Sequence, residues 1–293
     1  MSQIRIVEVS PRDGLQNESV VVPTAMKADF IKRLLGAGLR EIEVSSFVSP
    51  KWVPQLGDIE ELWPLLPVGG TYSALVPNEK GMERAVALGV ERIAVFTAAS
   101  DAFTQKNINM TVEQSIEVFK RIRASHKGFM RGYVSTIFEC PYAGLVDPTR
   151  VREVINQLFE IGVDEVSLGD TTGVGVPAEV RKLVSELNGL PKDKVVWHFH
   201  DTRGTAIANI ATALDLGYTS FDSSAAGLGG CPYAKGAGGN LATEDLVYFA
   251  HRSGLTTGCD LPTLAQASLP ILEILGKAPT AKAQLAALAS LSR

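Results

Sequence analysis

The sequence predicts an α/β fold, a (β/α)8 TIM barrel with a short C-terminal helical extension. Three observations carry this prediction: the chain length, the number of short apolar runs, and the helical stretches between them. The chain has 293 residues, of which 45% are hydrophobic and 20% charged, and such a barrel typically needs about 250 residues. This ordinary globular composition excludes a disordered chain and a small disulfide scaffold.

Eight short runs rich in β-branched residues alternate with stretches of helical periodicity. The helical stretches include 25–37, 112–122 and 149–161, and several, such as the first and the last of these, are followed by a glycine, which commonly ends a helix. Eight alternating units favour a parallel sheet closed into a barrel. The alternative is an open doubly wound sheet, but no strand is followed by a clean GxGxxG motif. The eight runs are 4–10, 40–46, 71–76, 92–98, 132–138, 165–170, 194–200 and 220–225.

The chain is expected to form one domain, residues 1–293. The barrel is expected to occupy about 4–255, and helices over about 262–291 are too short for a domain of their own. A net charge of −4 gives no support to a nucleic-acid or anionic-membrane surface. No run of about 18 apolar residues and no apolar leader is present, and the three cysteines lack metal-finger spacing. We therefore expect a cytoplasmic protein without nucleic-acid or membrane partners.

Polar residues cluster after the first predicted strand, in the loop 10–18. This loop includes Arg12, Asp13 and Gln16. In a barrel of this kind the chemistry belongs at the carboxyl ends of the strands, where this loop lies. A charged surface turn is the alternative interpretation.

The second predicted strand carries two acidic residues, Glu41 and Glu43, in alternation with apolar ones. The alternation places both on one face of the strand. An acidic residue in a buried strand needs a partner, because an unpaired buried charge is costly. Glu43 is therefore either a site residue or the partner of a structural Arg or Lys.

The seventh predicted strand contains His198 and His200, two residues apart and so on one face. Trp197 and Phe199 take the opposite face, toward the helices. Two imidazoles directed into a barrel mouth indicate a metal site, and hydrogen-bonded core histidines are the alternative. Asp201 either orients an imidazole or caps the next helix.

A glycine-rich loop, 227–240, follows the eighth predicted strand, with six glycines among fourteen residues. Such a loop can present backbone N–H groups to an anion and flex over a site. Cys231 in its middle is a candidate proton donor or nucleophile, or else a small apolar filler. Asp13, the two histidines and Asn240 would form a ligand set without thiolate, which favours Mg²⁺ or Mn²⁺ over a closed zinc site.

Taken together, the segments 7–18, 46–55, 198–202 and 227–233 resemble the 3-hydroxy-3-methylglutaryl-CoA lyase family. The resemblance runs in order from about residue 4 to 255. Arg-Asp-Gly-x-Gln with His-x-His marks a wider superfamily that includes isopropylmalate and homocitrate synthases. The Gly-Gly-Cys-Pro-Tyr loop points to the lyase branch.

The resemblance implies cleavage of a 3-hydroxy-3-methylglutaryl thioester into acetoacetate and acetyl-CoA, as in leucine degradation and ketone-body formation. It implies a divalent metal, Mg²⁺ or Mn²⁺, an acyl-CoA substrate and a homodimer. It also implies roles for individual residues: Asp13, His198, His200 and Asn240 as metal ligands; Arg12 at the developing enolate; Cys231 in proton transfer; His198 as one candidate base; Glu43, and more weakly Asp170, in the hydrogen-bond network; and Gln16, Gly229 and Gly230 with Arg12 in substrate binding.

Four positions depart from the family pattern: Ser10, Ser19, Arg203 and Gly238. Ser19 stands where many members have Lys, which puts a contact with a CoA phosphate in doubt. Arg203 stands where Tyr is usual. The alternatives are therefore a lyase for a longer branched 3-hydroxyglutaryl-CoA, a Claisen-type synthase of the same superfamily, and a non-catalytic homologue.

Overall fold

The computed structural model describes residues 3–230 and 239–291. Eight parallel strands close into a barrel in which each strand pairs with its neighbour in sequence and the last pairs with the first. The predicted TIM barrel is thereby confirmed. The strands are β1 Arg5–Glu8, β2 Glu41–Ser46, β3 Thr71–Leu75, β4 Arg92–Ala98, β5 Phe129–Ser135, β6 Glu165–Asp170, β7 Val195–Phe199 and β8 Ser220–Ser223.

The fifth strand differs most from its predicted bounds. The sequence predicts it over 132–138, but β5 is Phe129–Ser135, which begins and ends three residues earlier. Arg131 lies just before this run, and a charged residue at that position indicates a loop rather than a buried strand. Its guanidinium is satisfied by carboxylates inside the barrel, so the strand continues through it.

Helices follow the strands and pack around the barrel. Within the described residues they are α1 Thr24–Gly36, α2 Ile59–Leu62, α3 Glu79–Ala87, α4 Asp101–Ile108, α5 Val112–Ser125, α6 Pro148–Glu160, α7 Pro177–Glu186, α8 Ala206–Asp215, α9 Thr243–Arg252, α10 Leu261–Ala267, α11 Leu269–Ile274 and α12 Lys282–Leu291. A short antiparallel pair, Glu139–Cys140 with Gly144–Leu145, lies between β5 and α6. Across the part of the chain described, no helix has the length and apolar character that crossing a membrane requires.

The C-terminal helices are joined to the barrel domain by specific hydrogen bonds. The backbone N–H of Ala283 in α12 donates to Asp245 of α9 at 2.6 Å. The buried Gln284 side chain donates to the Ala265 carbonyl at 2.9 Å and to the Ser268 hydroxyl at 2.8 Å. The predicted extension therefore packs against α9 and α10.

The two faces of the barrel strands differ in chemistry. The outward face is apolar and fully buried under the helices, as Ile93, Val95, Trp197 and Leu168 illustrate. Barrel interiors are usually filled by bulky branched residues, but here charged side chains occupy much of the inward face. They form what we call the charge column: Glu41, Arg5, Glu165, Arg131 and Asp222.

Successive members of the charge column are directly paired. Arg5 contacts Glu41 and Glu165, each at 2.5 Å. Arg131 contacts Glu165 at 2.7 Å and Asp222 at 2.8 Å. Burial opposes ionisation of Asp222, but the charge of Arg131 outweighs it and lowers the pKa of this carboxyl. The column is therefore a compensated set of charges, half-buried at Arg5 and Glu41 and buried at the other three members, that leads from the base of the barrel toward its mouth.

Candidate active site

Arg12 and Asp13 lie in a tight π-helical turn, Ser10–Gly14, that directly follows β1. The turn packs closely against the loop after β8. A Cβ atom on Gly14 would lie 2.8 Å from the Ser224 hydroxyl, so only glycine fits there. The sequence thus brings the first loop against the eighth and sets both charged side chains at the barrel mouth.

Four side chains predicted as metal ligands come together at this mouth. Ligand atoms of Asp13, His198 and His200 all lie within 4.8 Å of one another, and the two Nε2 atoms are 3.2 Å apart. Asn240 donates from Nδ2 to Asp13 Oδ2 at 2.8 Å and to the Leu228 carbonyl at 3.1 Å. With both amide hydrogens engaged, the Asn240 Oδ1 oxygen is left to serve as a ligand.

The electrostatics of these groups suit a cation. Burial alone would raise the pKa of Asp13, but the charges of Arg12 and His198 outweigh it and lower the pKa to about 2. Burial and the neighbouring His198 lower the pKa of His200 to about 4. At neutral pH the carboxylate is ionised and His200 is neutral, which are the forms that bind metal. Oxygen and imidazole donors without thiolate fit Mg²⁺ or Mn²⁺.

The carboxylate that orients His198 is Asp222 rather than Asp201. His198 Nδ1 lies 3.1 Å from Asp222 Oδ2. Asp201 accepts a hydrogen bond from the backbone N–H of Ala206 at 3.0 Å, at the start of α8. Of the two interpretations of Asp201, the helix cap is therefore correct and the orienting role is wrong. Asp222 follows the apolar Phe221 in β8, so the two side chains point to opposite faces of the strand. This alternation in the sequence indicates that Asp222 faces the barrel interior.

Arg12 is clamped beside the proposed metal ligands. Its Nε donates to the fully buried Glu43, and its Nη1 donates to Asp13 Oδ1 at 2.7 Å. Tyr133 donates from its hydroxyl to Glu43 Oε2 at 2.8 Å, and its ring lies 5.3 Å from the guanidinium carbon. Among the described residues, Arg12 Nη2 has no acceptor. The arginine partner expected for Glu43 is thus itself a candidate site residue, and Tyr133 is a further member of this group that no sequence pattern indicated.

The glycine-rich loop begins and ends beside this group. The Gly239 N–H donates to the Gly229 carbonyl at 3.1 Å, and Asn240 forms an antiparallel bridge with His200. A Cβ on Gly229 would lie 2.5 Å from the Asn240 amide, so glycine is required there. Gly230 is exposed. Cys231 lies outside the described residues.

Two other predicted residues are placed differently. Asp170, the last residue of β6, accepts from the backbone N–H groups of Val174 at 3.1 Å and Gly175 at 3.0 Å. Burial raises the pKa of Asp170 to about 6. Its described contacts therefore fix the loop after β6 and do not include Glu43 or Arg12. Gln16 is half-buried just beyond the first turn.

Two buried glutamate side chains support the site from behind. Glu8 accepts from the backbone N–H groups of Ser10 and Ala225, each at 2.9 Å, and from the Thr243 hydroxyl at 2.7 Å. Glu244 accepts from the Ala226 N–H with both oxygens, at 3.0 and 2.8 Å. These bonds tie the turn after β1 and the loop after β8 to the start of α9.

Glu244→Gln is expected to stabilise the protein at alkaline pH. Burial raises the pKa of Glu244 to about 8, so the folded state binds its proton more tightly than the unfolded state. Wild-type stability should therefore fall as pH rises from about 4.5 to about 8, by an amount of order a few kcal/mol. Urea unfolding at about pH 5 and about pH 9 should show the variant's advantage only at the higher pH. The exposed Glu61→Gln is the control, and an equal effect at both pH values would contradict the assignment.

The fold and the site define a TIM-barrel enzyme. Residues 3–271 match the family model described as HMGL-like. The chain belongs to the HMGL-like family.

Several characterised proteins are similar over nearly the whole chain. The hydroxymethylglutaryl-CoA lyase of Pseudomonas mevalonii is 46% identical over 299 residues, which cover 100% of this chain and 99% of that protein. The 3-hydroxy-3-isohexenylglutaryl-CoA/hydroxy-methylglutaryl-CoA lyase of Pseudomonas aeruginosa is 46% identical, with 98% of each chain covered.

Two solved structures are similar to this chain over nearly its whole length. The crystal structure of hydroxymethylglutaryl-CoA lyase from P. aeruginosa superposes with a TM-score of 0.96 at 46% identity, covering 99% of this chain and 98% of that one. An HMG-CoA lyase from Acinetobacter baumannii in complex with coenzyme A and 3-methylmalate gives a TM-score of 0.91 at 36% identity, with coverage of 99% and 95%.

Proposed function

We propose that this protein is a divalent-metal-dependent carbon–carbon lyase that cleaves 3-hydroxy-3-methylglutaryl-CoA into acetoacetate and acetyl-CoA. One observation carries the proposal: Asp13 is shared between the group of two histidines and the clamped guanidinium of Arg12. The site therefore sets a cation-binding group and a fixed positive charge side by side. The similarity to named lyases over the full chain supports the same reaction.

Asp13, His198, His200 and Asn240 would hold the metal. When bound, Mg²⁺ or Mn²⁺ supplies Lewis acidity that makes a tertiary hydroxyl easier to ionise. The protein contributes the ligand positions. The turn after β1 presents Asp13, β7 presents His198, and the backbone bridge between His200 and Asn240 fixes the last two ligands relative to each other.

Arg12 is suited to the charge that develops during cleavage. Breaking the bond between C2 and C3 of the substrate leaves an electron pair on C2, which is delocalised onto the thioester oxygen. Glu43, Asp13 and the Tyr133 ring hold the Arg12 guanidinium in place. A charge fixed in advance stabilises the enolate without reorganising during the reaction. We assign Arg12 to the thioester oxygen, with Gln16, Gly229 and Gly230 bordering the acyl-CoA.

The proton balance requires that the hydroxyl lose one proton and that C2 gain one. We assign the second transfer to the Cys231 thiol, in the loop whose two ends meet beside Asn240. Glu43 and Asp170 serve this scheme through their contacts, Glu43 by holding Arg12 and Asp170 by holding the loop after β6. We also propose that the enzyme is a single-domain cytoplasmic homodimer of the 31.3 kDa chain.

Cys231→Ala is expected to lower kcat by about a hundredfold or more, the usual contribution of a positioned proton donor. KM should change little, because the thiol acts after the substrate is bound. Steady-state kinetics at saturating Mg²⁺ measures both constants. Cys259→Ala, at a buried cysteine remote from the mouth, is the matched control. Full activity of the Cys231 variant would make this cysteine a bystander.

The test of the proposed function is an assay of the purified protein with 3-hydroxy-3-methylglutaryl-CoA. Acetoacetate is followed with Mg²⁺ present and again after excess EDTA. We expect metal-dependent formation of acetoacetate. Folded, metal-loaded protein that yields none would contradict the proposal. Parallel assays with longer 3-alkyl thioesters, and for consumption of acetyl-CoA, then distinguish the longer-chain lyase from a synthase.

A further inference from the structure

Asp222 lies directly behind His198, on the side away from the other proposed ligands. Its carboxylate is almost fully buried, with 1% of the residue exposed. Oδ2 lies 3.1 Å from His198 Nδ1 and accepts from the Ser167 hydroxyl at 2.6 Å, while Oδ1 accepts from Arg131 Nη1 at 2.8 Å. Each oxygen therefore has a defined partner, and the carboxylate has a fixed orientation.

This arrangement determines which nitrogen of His198 carries the proton. A neutral imidazole has one N–H, and an ionised carboxylate can only accept a hydrogen bond. With Asp222 at Nδ1, the N–H is on Nδ1 and the lone pair is on Nε2. Nε2 is the atom that lies 3.2 Å from His200 Nε2, inside the proposed metal group.

We propose that Asp222 is a positioning residue that selects the Nδ1–H tautomer of His198 and fixes its ring, with Arg131 and Ser167 holding Asp222 in place. Carboxylates behind metal-bound histidines act in this way in many proteins. The inference rests on the metal site of the proposed function, but it concerns a residue outside the ligand set.

Arg131 extends this positioning role to the other half of the site. Its Nη1 also lies 3.4 Å from the Tyr133 hydroxyl, which donates to Glu43, the clamp of Arg12. The Tyr133 ring meets the His198 ring edge-on, with 6.2 Å between centroids. One buried guanidinium thus aligns both the proposed metal ligands and the proposed enolate-stabilising arginine.

The test compares Asp222→Asn with the wild type in two measurements on the full chain. Titration with Mn²⁺, followed by the electron paramagnetic resonance signal of the free ion, gives the metal affinity. We expect it to fall about 10- to 100-fold, the usual effect of losing such a partner. ¹⁵N NMR of histidine-labelled, metal-free protein is recorded at alkaline pH, because the hydrogen bond to Asp222 outweighs burial and raises the pKa of His198, and it gives the tautomer of the neutral imidazole. We expect Nδ1–H alone in the wild type and a mixture of tautomers in the variant.

Asp201→Asn is the matched control, because it removes a carboxylate close to the histidines that caps α8 instead. It should change neither measurement. If Asp222→Asn does not fold, Ser167→Ala, which removes one hydrogen bond to the same Oδ2, should weaken Mn²⁺ binding severalfold.

Wild-type Mn²⁺ affinity together with an unchanged His198 tautomer in folded Asp222→Asn would overturn the inference. If Asp222→Asn does not fold, the same result in Ser167→Ala would overturn it. The tautomer measurement requires neither metal nor substrate. It therefore judges the role of Asp222 even if the assay shows that the proposed reaction is wrong.

Discussion

Arg12→Gln is expected to lower kcat for acetoacetate formation by about a thousandfold, the upper range for removing one preorganised donor from an oxyanion. Glutamine keeps a hydrogen-bonding amide but removes the positive charge. The loss should be large because Arg12 is buried at 6% exposure and held by Glu43 and Asp13, so water cannot replace it readily. Steady-state kinetics and a Mn²⁺ titration together measure the effect.

Metal binding should survive this substitution nearly intact. Asp13 keeps its hydrogen bond from Asn240 and its neighbouring imidazoles. Arg33→Gln, in an exposed pair with Asp29 on α1, is the control and should leave kcat unchanged. Loss of Mn²⁺ binding in Arg12→Gln would show instead that Arg12 acts by holding Asp13, and the enolate role would be wrong.

His200→Ala is expected to weaken Mn²⁺ binding by more than about 100-fold. Loss of a hydrogen-bond partner behind a ligand already costs about 10- to 100-fold, and removal of a ligand should cost more. His200 is buried, and its Nε2 faces His198. Acetoacetate formation should then disappear at metal concentrations that saturate the wild type.

His251→Ala is the control for this prediction, because His251 is exposed and bonds to Thr257 at 3.0 Å. It should bind Mn²⁺ like the wild type. Unchanged affinity in His200→Ala would support the alternative, in which the two histidines are hydrogen-bonded core residues.

The parts of the fold predictable from sequence are those governed by local periodicity. Strand runs such as 92–98 and 165–170 agree with the structure at both ends, because outward-facing residues must be apolar. The two-residue spacing of His198 and His200 places both on the inward face for the same geometric reason. Loop residues such as Asp13 can be proposed as site residues from the sequence because they follow a strand.

The parts that were missed depend on partners far apart in the chain. The alternation of side chains along the strand shows that Asp222 faces inward, but its ion pair with Arg131 joins residues 91 positions apart. No local sequence pattern indicates that contact. Asp170 shows the converse: a carboxylate at a strand end looked available for the site, but it accepts hydrogen bonds from N–H groups four and five residues later. Nearby backbone N–H groups compete with side chains distant in sequence for the same carboxylate, and the sequence does not show which donors it will bind.

The charge column has a consequence for how this barrel can change over time. Removing one partner of a buried ion pair typically costs about 3–5 kcal/mol, whereas replacing a whole pair by well-packed apolar residues is often neutral. Glu165 should therefore change only together with Arg5, while Arg131 and Asp222 should both be retained, because Asp222 also lies against His198 Nδ1. Neutral substitutions of charged residues inside this barrel are therefore expected to accumulate in pairs, whereas substitutions in the exposed loops are expected to accumulate singly.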